Sequence, residues 1–327
     1  MKKWFVCVLA FFMLVFMSTT NGFSMMHKIP KKKAIVLAMF GTAYPCAIHS
    51  LVNIQRHIQK AFPHTPVKIA FTSNIIRMIW EKRAKDPKWQ HNPEVPKEVL
   101  YVKSLLGEIG DLQNEGYTQI VVQPTHFYAG EEFCDVLSYV HGLNDIHTIK
   151  KEWMPFTKPI VVGRPLTGMW GVRYPYRKDM KILARALKPE VEIARKNHAA
   201  LVYMGHGNEY YSTGIYAEFQ EVMQKMYPDV KIIIGTVEGF PSLQDAVTWA
   251  KMAHVKKVVM FPLMIVAGDH AHNDMAGNAP DSWKNTFERN GIKVIPEFVG
   301  LGDLNGVAKI FVEHIRDAAR DGGIKLD

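Results

Sequence analysis

Val258-Val-Met-Phe-Pro-Leu-Met-Ile-Val-Ala-Gly-Asp-His270-Ala-His272-Asn-Asp274 opens as an unbroken apolar run and closes on glycine and two imidazoles. A short Val/Ile/Leu/Met run that stops at glycine reads as a strand buried on both faces of a parallel sheet. The loop after such a strand is where open α/β sheets place their ligands. The same logic recurs upstream in Ala199-Ala-Leu-Val-Tyr-Met-Gly-His206-Gly-Asn208. Two histidines delivered to one sheet edge point to a metal or proton-transfer site.

Working outward, similar runs lie at Ala34–Gly41, Val67–Phe71, Gln119–Pro124 and Pro159–Arg164, then at Ala200–Met204, Lys231–Gly235, Lys257–Leu263 and Ile292–Pro296. Helical periodicity fills the gaps. Ile48, Leu51, Val52, Gln55, Ile58 and Phe62 share one face, as do Leu100, Leu105, Leu106, Ile109 and Leu112 before Gly116. Residues 215–226, and those from Ser242 as N-cap to about His254, behave likewise. The phrase Pro124-Thr-His126-Phe-Tyr-Ala129-Gly130-Glu131-Glu132 parallels Pro262 to His270, and Phe40-Gly41-Thr42 parallels Gly205-His206-Gly207. The pattern predicts an α/β fold of two similar lobes, residues 25–175 and 176–327, related by internal duplication. Each holds a four-stranded, mainly parallel sheet flanked by helices, with a cleft between the lobes.

Met-Lys-Lys, the apolar stretch Trp4–Met17 and the polar close at Gly22-Phe-Ser24 read as a signal peptide over residues 1–24. Its removal leaves 303 residues, no second long apolar run, and an expectation of a periplasmic protein without stable membrane insertion. The net charge of +9 falls to +7 without Lys2 and Lys3, which suits a polyanionic small molecule. No nucleic-acid motif occurs, and none of the serine-hydrolase, phosphate-loop, zincin or dinucleotide signatures is present. Cys46 and Cys134, the cysteines left after cleavage, are either paired or free. Trp80-Glu-Lys-Arg-Ala-Lys-Asp-Pro-Lys-Trp89 reads as a polar insertion, solvated or packed on a partner subunit.

Glu238, in Val237-Glu-Gly-Phe-Pro241, ends the strand that falls between those of His206 and His270 in the sequence. Two imidazoles and a carboxylate suit a borderline divalent ion such as Co²⁺, Ni²⁺, Fe²⁺ or Zn²⁺, and suit proton abstraction near neutral pH.

These three motifs together resemble the anaerobic-pathway cobalt chelatases, which insert Co²⁺ into sirohydrochlorin, without ATP, on the way to cobalamin. The resemblance spans the mature chain. It implies the class II chelatase fold shared with ferrochelatase, with the tetrapyrrole between the lobes. It also implies that His206, Glu238 and His270 hold the metal and that the histidines take up pyrrole protons, with His272 a further candidate. Phe40, Tyr44, Phe127, Tyr128, Tyr210 and Tyr211 are candidate walls for the ring, and Lys33, Arg77, Arg164 and Arg173 are candidate partners for its carboxylates. The ligand set also admits Fe²⁺, for sirohaem, or Ni²⁺. The export signal departs from the family's cytoplasmic setting and admits a second reading, a periplasmic carrier of metal, haem or tetrapyrrole. There His91, His126, His141 and His147 are candidate haem ligands, including across the subunits of a homo-oligomer.

Overall fold

The first half of the chain runs β1 (Lys32–Met39), α1 (Ile48–Ala61), β2 (Val67–Phe71), α2 (Asn74–Arg83), α3 (Leu105–Asn114), β3 (Tyr117–Pro124), α4 (Glu131–Asn144) and β4 (Val161–Val162). The second runs α5 (Tyr176–Ala186), α6 (Lys188–Lys196), β5 (Ala200–Gly207), α7 (Gly214–Met226), β6 (Ile232–Glu238), α8 (Leu243–Met252), β7 (Lys257–Leu263), α9 (Trp283–Arg289), β8 (Lys293–Pro296) and α10 (Asn305–Asp321). This computed structural model describes residues 31–148 and 154–327. The stretch read as a leader lies outside them. Among the described residues no helix is long and apolar enough to cross a membrane.

Both sheets are parallel throughout, and their strand orders are β2-β1-β3-β4 and β6-β5-β7-β8. One order used twice is what the duplicated phrases predicted. In each sheet the first strand of its half lies inside, so its side chains are covered on both faces. Every residue from Ala34 to Met39 in β1 and from Leu201 to Met204 in β5 is fully buried, which is why these strands read as unbroken apolar runs rather than alternations.

Several sequence expectations need correction. The apolar period from Leu100 to Leu112 is not one helix. Lys103 bridges to Ala70 in a short parallel contact, and the Ser104 hydroxyl accepts a hydrogen bond from Gly107 N at 3.1 Å, so α3 starts afresh there and Leu106 faces solvent. Strand β4 is only Val161–Val162, shorter than the run Pro159–Arg164. The segment Trp80–Trp89 keeps most of its charged residues in solvent, but it is anchored by its two tryptophans and Arg83. Trp80 is fully buried and its indole N–H donates to Thr42 O at 2.8 Å. Arg83 lies over both the Trp80 and Trp89 rings and donates to Ala43 O at 2.6 Å. The segment thus clamps the loop after β1 from behind. Cys46 and Cys134 are both free.

The two lobes share one interior. Helix α10 packs on α1, β3 and β4 of the first sheet and on α5, so the carboxyl-terminal helix returns to the amino-terminal lobe. Arg164, just after β4, is tied at 2.6 Å to Asp179 of α5 and at 2.8 Å to Asp317 of α10. Burial pushes the Asp179 carboxyl up, but hydrogen bonds from His314 and Arg164 outweigh it and hold the group below its ordinary value.

Candidate active site

His206 is the penultimate residue of β5, and the β5–β6 register pairs Gly207 with Glu238. Gly207 has φ +83°, and a Cβ there would fall 1.7 Å from Glu238 O. Only glycine permits that approach. The pairing sets His206 beside Glu238, with Nδ1 to Oε2 at 3.9 Å. The turn that follows is pinned by Thr213, whose hydroxyl donates to Phe240 O at 2.5 Å and accepts from Phe240 N at 2.8 Å.

His270 follows β7 at the start of a single π-helical turn, Ala271–Met275. Such turns recur at functional sites because they shift side chains out of α register. Here the turn lets Asp274 accept from His270 Nδ1 at 2.5 Å. His206 Nδ1 is likewise engaged, by Gly207 O at 3.2 Å. With each Nδ1 carrying the proton toward an oxygen, each Nε2 keeps its lone pair. The two rings meet edge to face, with centroids 4.8 Å apart.

Both histidines line a cleft of about 460 Å³ between the lobes. Its walls are mostly apolar: Ile75, Ile76 and Ile79 of α2 on one side, and Leu263 to Val266 on the other. Aromatic contacts tie the lobes together beside it. Phe127, after β3, stacks on Tyr216 of α7 at 4.9 Å, and Tyr128 meets Tyr216 at 5.5 Å. Burial lifts the Tyr128 phenol well above its ordinary value, so it stays a hydroxyl. At the other side Tyr44, His272 and Phe298 form a continuous stack, with centroids 5.1 and 4.8 Å apart. Tyr44 also donates to Asp269 at 2.8 Å, and that hydrogen bond holds the phenol above its ordinary value.

Residues 33–320 match the cobalt chelatase (CbiK) family. The chain belongs to the cobalt chelatase family. It is 30% identical over 292 residues to a sirohydrochlorin cobaltochelatase, CbiKC, of Nitratidesulfovibrio vulgaris, covering 89% of this chain and 92% of the relative. The sirohydrochlorin cobaltochelatase of Salmonella typhimurium is 28% identical, over 88% of this chain and 96% of its own length. In fold, the chain resembles the sirohydrochlorin chelatase SirB of Bacillus subtilis subspecies spizizenii, solved in complex with cobalt. The TM-score is 0.53 at 13% identity, over 90% of this chain and 100% of that one.

Within this chelatase fold the structure sorts the residues expected from sequence. His206 and His270 come together, and Glu238 stands beside His206. Among the described residues, no group of three or more His, Cys, Asp or Glu side chains is arranged to hold a metal ion. The arrangement is an open imidazole pair rather than a closed cage. Phe40, Tyr44, Phe127 and Tyr128 line the cleft. Tyr210 does not: it is 80% exposed, because Asn208 Oδ1 accepts from both Tyr210 N and Tyr211 N and turns that loop outward. His272 is held between Tyr44 and Phe298, with Cys46 Sγ 3.8 Å from Nε2. Of the basic candidates, Lys33 pairs with Asp327, Arg164 with Asp179 and Asp317, and Arg173 with Asp321. These three serve the protein's own carboxylates, and Arg77, outside the cleft lining, donates to Asn74 Oδ1 at 2.5 Å. His91, His141 and His147 are exposed on separate segments, whereas His126 lines the cleft. Glu132, at the first-lobe position equivalent to His270, also lines it, as do the α2 isoleucines. The sequence carried a signal for the latter: Asn74-Ile-Ile-Arg-Met-Ile-Trp80 holds more apolar residues than one core-facing side of a helix can bury.

Proposed function

We infer that this protein inserts Co²⁺ into sirohydrochlorin, the reaction for which its relatives are named. The observation that carries the reading is the pair His206 and His270, ring against ring in the wall of a mostly apolar cleft. Apolar walls favour the flat face of a macrocycle. A free-base ring must shed two N–H protons as M²⁺ enters, and a neutral imidazole with a free Nε2 lone pair can accept one. The Asp274 carboxylate and the Gly207 carbonyl, each at Nδ1, orient the rings and stabilise the imidazolium that forms. Glu238 adds a carboxylate 3.9 Å from His206 Nδ1, whose negative charge favours the imidazolium that forms. Holding ion and ring in one cleft removes much of the entropic cost of their encounter. On the reading of residues 1–24 as an export signal, the reaction takes place in the periplasm, which fractionation of expressing cells would check.

The test is anaerobic mixing of the protein with excess sirohydrochlorin and Co²⁺, following the visible spectrum through many equivalents. Turnover should continue past one equivalent and fall by about a hundredfold or more in His206→Ala and His270→Ala, the range expected for loss of a proton acceptor. A spectral change that halts at one equivalent would make the protein a carrier. Undiminished turnover in the double variant would remove both histidines from the chemistry.

A further inference from the structure

The end of β3 carries polar atoms that nothing in the protein satisfies. Thr125 Oγ1 and both ring nitrogens of His126 are shielded from solvent and have no hydrogen-bond partner. Both residues line the cleft. Buried polar atoms are almost always paired, so adjacent unpaired ones on two residues that line a cavity mark a place where, once the side chains turn, a partner arrives from outside the chain. Burial pushes the His126 imidazole down to about 4, so at neutral pH it is uncharged and offers one N–H and one lone pair. The duplication sharpens the contrast. At the end of β7 the corresponding residues are Leu263 and Met264, so one lobe is apolar where the other is polar.

The charge of the expected guest supplies the second argument. Sirohydrochlorin is a polycarboxylate, yet among the described residues lining the cleft there is no lysine or arginine. Within that lining a carboxylate is met by neutral donors. Tyr44 already donates to Asp269, and the Ser73 hydroxyl caps α2. Thr125 and His126 have no such engagement.

We propose that Thr125 and His126 form a subsite that hydrogen-bonds a rim carboxylate of the tetrapyrrole and so fixes the rotation of the ring in the cleft. His126 is half-buried, and its nitrogens are turned away from solvent. A half-turn about Cβ–Cγ exchanges Nδ1 with Cδ2 and Nε2 with Cε1, and it breaks no hydrogen bond because none is made. The imidazole can thus present a nitrogen when ligand arrives. The proposal rests on the tetrapyrrole reading of the cleft and names positioning residues for it.

The experiment compares wild type with His126→Phe, His126→Gln and Thr125→Val. Metal-free sirohydrochlorin and its methyl ester would be titrated by absorbance, and kcat and KM measured with Co²⁺. His126→Phe and Thr125→Val should each raise Kd and KM for sirohydrochlorin about tenfold, with kcat within about twofold. His126→Gln should recover most of the affinity. The thermal midpoint of His126→Phe should hold or rise, since an unsatisfied polar ring is replaced by an apolar one. Wild type should prefer the acid to the ester, and the variants should lose that preference. Tight wild-type binding with unchanged Kd in His126→Phe and Thr125→Val would overturn the subsite and leave the activity standing. An acid-to-ester preference identical in all proteins would overturn the carboxylate. A wild type that binds no sirohydrochlorin would overturn the subsite and the function together.

Discussion

Asp274 lies four residues beyond His270 and accepts from its Nδ1 at 2.5 Å. Asp274→Asn keeps the shape but removes the anion that stabilises an imidazolium. It should lower kcat by about 10 to 100-fold with little change in KM for the tetrapyrrole, as steady-state kinetics would show. A second prediction concerns Glu190, a buried carboxyl of α6 that accepts from the Tyr203 hydroxyl at 2.5 Å and is pushed up to about 8 by burial. The folded chain keeps this proton between the ordinary value of 4.5 and about 8, where the unfolded chain releases it. Stability therefore falls as pH rises through that window. Glu190→Gln should flatten the decline, measurable as urea midpoints at pH 5 and 8. The pair His206 and His270 was legible in the sequence because a strand-end imidazole with glycine one or two residues away is a local signal. His126 was only one histidine among several, because its lack of a partner is a property of three-dimensional packing. Arg164 misled for the matching reason: Asp179 and Asp317, distant in sequence, already claim its charge.

At the scale of elements, the register between β5 and β6 builds the site, and Gly207 sets that register's end. Gly207→Ala would place a Cβ against Glu238 O in a backbone region that costs an L-residue about 1 to 2 kcal/mol before any clash. The variant should lose more than about 3 kcal/mol in denaturant unfolding, and activity should fall further than stability alone explains, because Glu238 is driven from His206. Strands and their order were legible because buried parallel strands read as continuous apolar runs. Helices were less so. The Leu100–Leu112 period runs through a break because the Ala70–Lys103 bridge competes for the backbone there, a contact no periodicity contains. Trp80 to Trp89 looked polar because of its six charged residues, and what periodicity could not show is that one of them, Arg83, lies over both indoles and ties the segment to the loop after β1.

Over the whole molecule, one topology is used twice and then specialised, with the imidazole pair in the second lobe and the unpartnered polar pair in the first. The lobes are joined through Arg164, itself partly buried and bound to two carboxylates. Arg164→Met should cost about 1 to 3 kcal/mol, because Asp179 and Asp317 lose their hydrogen bonds to the guanidinium and keep His314 and Arg320 as partners. The gap from wild type should narrow as pH falls and the depressed Asp179 carboxyl protonates, which urea unfolding across the acid range would show. The aromatic stacks at Phe127–Tyr216 and at Tyr44–His272–Phe298, with α10 strapped behind, leave little freedom for the lobes to swing apart. The space between them is accordingly a slot of set gauge, which sorts its guests by thickness. A flat macrocycle is expected to slide in edge-on like a letter and to leave the same way.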